Sequence, residues 1–515
     1  MKRKSSIWAK LIGIGLIASA GFATSAAAQT APSVFKAGFA ERDISPTVGM
    51  EQPGGYGKAF HRVFHDACKA RAVVFDDGKT KVALIGIDSL FIRKPTVDAI
   101  RKAIQKECGI EPHAILISAS HTHSGGPIGF PYRGEFDDAG PLAKDLAENH
   151  TTVADPEYLK KAEAGIIAAV LEAHANRVEA KAGSGFGIED KASFNRRFKM
   201  KNGLTFTHPG QGNPDIVEPA GPIDPQVGVV GVWDKKGEFL GCVVNFACHA
   251  TTGPGGISAD YIHYLEKTIR GLMGEKSVVV FLPGAGGDVT QVDNRNPYAI
   301  KQFGEVSSRF VGGRIGAEAV KTLLSMEQVA GSLMPLSAKS EVLAIPRRKP
   351  RPERLEKAHS LVRQDPKTAD ATAWTFAKEL VLLEARLRKE PVAPVEVQAV
   401  QVGPAVFLAC PAEYFCQFGL DLKAGSKFQF TFPVSMANDC VGYVPTEEAL
   451  GPGGGGYETR LTSYSNLEPK AGRMMADALL KLSAGMSPGA APQFPPLPKF
   501  QGKPWSYGDV PPEVD

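Results

Sequence analysis

What this 515-residue chain has little of narrows what it can be. Beyond its first 28 residues it has no apolar stretch of about 20 residues, so no transmembrane helix is predicted. Its seven cysteines form no C-x-x-C pair, which argues against a thiolate metal cluster. They read instead as buried or disulfide-paired residues, and their odd number leaves at least one thiol unpaired. Net charge is also scarce. The chain carries 59 Lys and Arg against 55 Asp and Glu, and Lys2, Arg3, Lys4 and Lys10 account for the whole excess of four. Without them it is near neutral, so it has no electrostatic reason to seek nucleic acid or anionic lipid.

Those four cations precede or sit within an N-terminal segment with an apolar core at residues 11–18 and an A-A-A end at 26–28. This pattern predicts a cleavable secretory signal over residues 1–28, too short to span a bilayer, and hence a secreted or periplasmic protein. The roughly 490 residues that follow exceed the usual single-domain size, which leaves one large or two fused domains open. Residues 486–515 are Pro-rich and read as a poorly ordered or strap-like tail.

Between these ends the pattern is α/β: layered mixed sheets flanked by helices. Strands are predicted at 36–44, 70–75, 81–88, 113–117, 178–187, 240–246, 278–282, 400–409 and 428–436. Helices are predicted at 96–106, 156–175, from about 259, at 299–326 and at 465–482, with a charged, solvated helical hairpin at 352–389. The Gly- and Pro-rich stretch 203–225 reads as a loop over the site.

Several strands end on groups that can carry chemistry. The run ending at Ile117 leads into S-A-S-H-T-H-S-G at 118–125. In extended chain His121 and His123 would face one cavity, as a metal site requires, although a pair of ordinary histidines fits the spacing too. A second strand ends on His249. A third runs into the Gly-rich loop at 284–287, where backbone can approach a ligand closely, and Asp288 and Thr290 become candidates for orienting water or substrate. That loop has neither a dinucleotide-binding nor a phosphate-binding pattern. A fourth leads to Glu413, read as beginning a helix, where a carboxylate also favours the dipole. Asp88 ends another strand, either supporting a metal ligand or capping the next helix. Arg196 and Arg197, set between aromatics, could clamp a substrate oxygen or form a basic turn. The run Gly451 to Gly456 could be a lid that places Tyr457, or an inert linker.

In order along the chain, S-A-S-H-T-H-S-G at 118–125, N-F-A-C-H-A-T at 245–251, G-G-D-V-T at 286–290, P-A-E at 411–413 and Y-V-P-T-E-E at 443–448 resemble the neutral/alkaline (non-lysosomal) ceramidase superfamily. The resemblance runs from about residue 35 to 485, within a catalytic domain expected over 29–485. It implies one zinc ion held by His121, His249, Glu413 and Tyr443, with His123, Arg196 and Tyr457 around the scissile amide of an N-acyl lipid. The implied chemistry is hydrolysis by zinc-activated water, with His123 moving a proton and Tyr457 or Arg196 steadying the oxyanion.

The sequence departs from the family after G-D-V, where the characterised ceramidases continue with serine, proline and asparagine. Here Thr290, Gln291 and Val292 follow, and the added methyl of Thr290 suits a water-orienting hydroxyl better than a nucleophile. The tyrosine-rich stretch after Y-V is replaced by Gly451 to Gly456, and the C-terminal immunoglobulin-like domain has no counterpart. Three functions therefore stand: a zinc amidase, a zinc enzyme of the same scaffold acting on a glycan or ester, and a zinc-binding protein without catalysis. An apolar groove beside the H-x-H would favour lipid; an aromatic, polar cleft would favour glycan.

Overall fold

The computed structural model describes residues 34–129, 131–298, 302–508 and 510–514. The expected export signal lies outside them, as does the start of the helix predicted from residue 299, which is seen over Glu305–Glu327. Among the described residues no helix is long and apolar enough to cross a membrane.

The larger sheet has eight strands in the order Val278–Pro283, Phe239–Phe246, Gln226–Asp234, Val178–Ile188, Lys36–Asp43, Lys69–Asp76, Lys81–Ile87 and Ile115–Ala119. Its inner neighbours are antiparallel, whereas the pair at each end is parallel. These end pairs contain the near-continuous apolar runs, because a parallel pair covered on both faces has no polar side to show. The strand Lys81–Ile87 lies against Val278–Pro283: a Cβ on Gly86 would stand 2.3 Å from the Phe281 carbonyl oxygen, so only glycine fits there.

A second sheet orders Leu336–Pro346, Val392–Val402, Ala405–Ala409 and Phe430–Val434, again with a parallel pair at its end. Polar side chains tie it to the first. Asn245 Nδ2 donates to the carbonyls of Leu282 and Pro433 at 2.9 and 2.8 Å, and Ser118 Oγ donates to Ser435 O at 2.8 Å. The parallel pairs thus bring their carboxyl ends together, where ligands of open α/β sheets usually bind.

Two expectations about elements change. Residues 203–225 are more than a loop: Thr205–Thr207 and Ile216–Pro219 flank Arg197–Met200 in a small antiparallel sheet. The Gly-rich run is bonded to that sheet through Thr205 Oγ1 to Gly453 O (2.9 Å) and Arg197 Nη2 to Gly455 O (2.7 Å). The hairpin of Pro352–Leu361 and Ala371–Lys389 is not simply solvated, since its second helix buries Trp374, Lys378, Glu379 and Leu380. Of the two readings of the cysteines, the buried one holds: all seven are free thiols, six of them buried.

Candidate metal centre

Just past the strand Ile115–Ala119, His121 takes φ 64°, a left-handed conformation that costs a non-glycine residue about 1 to 3 kcal/mol. The turn is held on both sides, by Ser120 N donating to Ile87 O (2.8 Å) and His123 N donating to Ala250 O (3.3 Å). The two imidazoles do come together, with ring centres 5.0 Å apart and planes at 86°. They do so through this turn, and not through the strand alternation expected from the sequence.

His249 follows the strand Phe239–Phe246, and its backbone N–H donates to Val289 O at 3.1 Å. The glycine loop does permit a close approach, but what it approaches is the chain itself: a Cβ on Gly287 would lie 2.4 Å from Glu413 O. Glu413 does not begin a helix. It lies in the two-residue strand Glu413–Tyr414, paired in parallel with Tyr443–Val444 so that Glu413 stands opposite Tyr443. The helix starts only at Cys416.

His121, His249 and Glu413 meet with one ligand atom each, all within 4.8 Å of one another, and none is more than 5% exposed. His249 Nε2 is 2.9 Å from Glu413 Oε2; His121 Nε2 is 3.3 Å from the same oxygen, but at an angle that makes no hydrogen bond. The other nitrogen of each ring faces a backbone carbonyl, His121 Nδ1 to Leu90 O at 2.8 Å and His249 Nδ1 to Gly286 O at 2.7 Å. A carbonyl only accepts, so each Nδ1 carries the proton and each neutral Nε2 presents a lone pair to a carboxylate. Three acceptors converge with no donor between them, which fits a cation. Tetrahedral zinc with bonds of about 2.0 to 2.1 Å needs ligand atoms about 3.3 Å apart, close to the 2.9 and 3.3 Å that separate Glu413 Oε2 from the two imidazoles. Burial, with Arg196 adding to it, pushes the His249 imidazole down to about 4.

Around this cluster, the Tyr443 hydroxyl receives Arg196 Nη2 at 3.2 Å and lies 3.1 Å from the Tyr457 hydroxyl. Arg196 also donates to Gly287 O and Glu458 Oε1, both at 2.8 Å. Burial disfavours its charge, yet Tyr457, Tyr443 and Glu458 hold it firmly protonated. Arg197 turns away, over the ring of Phe415. His123 stands beside the cluster with its Nε2 buried and without a hydrogen-bond partner among the described residues. Gly54, at φ 114°, closes over it, and a Cβ there would fall 2.4 Å from the ring nitrogen Nδ1.

A cavity of about 330 Å³ opens on His121, His123, Glu413, Tyr443 and Tyr457. A larger groove of about 790 Å³, lined by Phe194, Phe198 and Phe310 among others, contains none of the histidines. Arg196, Asp288 and Thr290 do not form the wall of the smaller cavity. Asp288 has both oxygens committed, one to Asn195 Nδ2 and one to Cys416 N, each at 2.8 Å. The Thr290 hydroxyl donates to Gln291 Oε1 at 2.7 Å. Asp88 neither caps the helix Lys94–Cys108, whose N-cap Arg93 makes no side-chain cap bond, nor touches the histidines; its Oδ2 accepts from Arg71 at 2.6 Å and Lys69 N at 2.8 Å.

No family model and no curated protein matches the chain by sequence. Solved structures do match it in shape. A neutral ceramidase from Pseudomonas aeruginosa superposes with a TM-score of 0.64 at 18% identity, over 90% of this chain and 77% of that one, and a ceramidase complexed with C2 gives the same values. The fold is neutral-ceramidase-like. At this identity the likeness speaks for the architecture alone.

Within this ceramidase-like fold, sequence reasoning missed two buried acids. Glu458 is fully buried and holds both Arg196 and the Thr207 hydroxyl. Glu379 reaches the cavity wall from the helix Ala371–Lys389. A signal for the second was present: Lys378-Glu379 interrupts an otherwise apolar run from Phe376 to Leu383, which a solvated helix face would not contain.

Proposed function

We propose that the protein is an exported zinc-dependent hydrolase that cleaves the amide bond of an N-acylated compound. The observation that carries this reading is the convergence of three acceptor groups, His121, His249 and Glu413, in a buried cluster of which His121 and Glu413 line a cavity. His121 and His249 would hold the ion through Nε2 and Glu413 through a carboxylate oxygen, with the Tyr443 hydroxyl as a weaker fourth ligand. Zinc bound there would supply Lewis acidity and lower the pKa of a water from 15.7 to about 7.

The remaining work falls to the chain. His123, whose Nε2 is uncommitted, would take a proton from the attacking water and return it to the departing amine. Tyr457, in the cavity wall, would donate its hydroxyl to the developing oxyanion. It is suited to donate: burial raises its phenol, only partly offset by Arg196, up to about 12. Arg196 would act through Tyr443 and Tyr457 by fixing their hydroxyls. Asp288 and Thr290 would position the Gly-rich loop. The test is release of free amine from a panel of N-acyl compounds by the zinc-loaded protein and its His123→Ala variant. The variant should keep its metal and lose about 10²- to 10⁴-fold in turnover. Equal rates would remove His123 from the mechanism, and a zinc-loaded protein inert to the whole panel would make it a binding protein.

A further inference from the structure

The cavity has a second chemical end. From the helix Ala371–Lys389, Phe376 and Glu379 stand three residues apart and therefore on one face, and both line the cavity with the metal-centre residues. Glu379 is a buried carboxylate, 3% exposed, and it is fixed in place. The Ser463 hydroxyl donates to Oε2, and Lys378 Nζ lies 2.9 Å from Oε1. Lys378 is itself tied to the carbonyls of Tyr56 and His150 and to Thr151 Oγ1. The ion pair neutralises the charge but leaves the carboxylate with unused acceptor positions, since its two oxygens offer about four.

The rest of the wall is aromatic. Six rings line it, from Tyr56, Phe91, Phe376, Tyr443, Tyr457 and Tyr464, and Leu90 is the single branched aliphatic side chain among the described lining residues. Tyr56 and Phe376 pack with ring centres 5.5 Å apart, and the Arg460 guanidinium lies 3.3 Å from the Phe376 ring centre. Flat ring faces combined with fixed acceptors suit a ligand that has apolar C–H faces and hydroxyl edges. An alkyl chain in the same space would strip water from Glu379 and offer its unused acceptor positions no partner.

We infer that this cavity selects an N-acylated, polyhydroxylated ring such as an amino sugar, with Glu379 accepting hydrogen bonds from its hydroxyls, in preference to a long-chain acyl amide. The inference rests on the hydrolase reading above for the bond that is cut, but not for what binds.

The experiment compares a panel of N-acetylhexosamines with N-hexadecanoylethanolamine, on the zinc-loaded full chain and on Glu379→Gln. Amine release and calorimetric binding are measured side by side. A hexosamine should bind and turn over with kcat/KM at least about 10-fold above the alkyl amide. Glu379→Gln should raise its KM about 10- to 100-fold with kcat little changed, while the alkyl amide and the zinc content are unaffected. Ser463→Ala should give a smaller shift of the same kind, and it decides the matter together with the wild-type preference if Glu379→Gln does not fold. Hexosamine binding that depends on Glu379 without amide cleavage would uphold the inference and sink the amidase reading. A preference for the alkyl amide, equal effects of Glu379→Gln on both classes, or no binding of any hexosamine would overturn it.

Discussion

Asp88 and Glu413 are both buried acids that follow a main-sheet strand, Asp88 directly after Lys81–Ile87 and Glu413 four residues after Ala405–Ala409, yet the chain treats them in opposite ways. Asp88 belongs to a closed network: Arg71 reaches it at 2.6 Å and also donates to Glu266, which is further paired with Lys69 and Arg270. Every carboxylate there has a cation supplied by the protein. Glu413 has none within its cluster and faces two imidazole lone pairs instead. A buried charge left unpaired is expensive, so the first cluster reads as complete and the second as made for an ion that the sequence does not encode.

The sharpest way to break that contrast is to give the Asp88 network the same deficit. Arg71→Met leaves two buried carboxylates without their shared partner and should cost about 3 to 5 kcal/mol in chemical denaturation, with zinc content per folded chain unchanged. The network is also sensitive to acid. Burial alone would raise Glu266, but Arg71, Lys69 and Arg270 bring it down to about 2, so its contribution is present above its ordinary 4.5 and lost as pH falls towards 2. Burial wins over Arg71 at Asp88, which is pushed up to about 6 and works in the other sense: its contribution is full below 3.8 and lost as pH rises through 6. The two oppose each other down to 3.8, so stability in wild type should fall on acidification below about 3.8, and in Glu266→Gln that fall should shrink. An unchanged acid limb in that variant would remove Glu266 from the account.

A smaller effect is expected at the metal cluster's surroundings. Arg196→Ala removes the guanidinium that fixes the Tyr443 and Tyr457 hydroxyls, and should cost about 10- to 100-fold in activity or metal affinity. A change in KM alone, with kcat and zinc at wild-type levels, would instead place Arg196 in direct contact with substrate. The smallest effect belongs to Thr290. Its hydroxyl serves Gln291, so Thr290→Ser should be near wild type and Thr290→Val should lose about 2- to 13-fold in rate, the worth of one hydrogen bond. An inactive Thr290→Val, with an acyl adduct on Thr290 visible in intact mass, would make that residue the nucleophile.

Much of the scaffold was legible because it rests on local signals. Buried parallel strands announce themselves as apolar runs, and His121, His249 and Glu413 each follow one. What was hidden depends on pairing over long distances or on pieces too short to have a period. Glu413 looked like a helix start because its true element is two residues long, paired with Tyr443 thirty positions later. The two outer strands of the small sheet, which lie within 203–225, are only three and four residues long amid Gly and Pro. Glu458 gives no sign in sequence that it will be fully buried beneath Arg196, which lies 262 positions away. The left-handed turn at His121 was hidden as well, since threonine and serine neighbours do not call for it and tertiary hydrogen bonds impose it.

The central claim is that the His121–His249–Glu413 cluster is incomplete without a cation, and elemental analysis of the purified protein tests it most directly. About one zinc per chain is expected in wild type and close to none in His249→Ala, with chelation lowering the melting temperature of wild type but not of the variant. A wild-type protein that is folded, free of metal and unable to take up zinc on titration would contradict it.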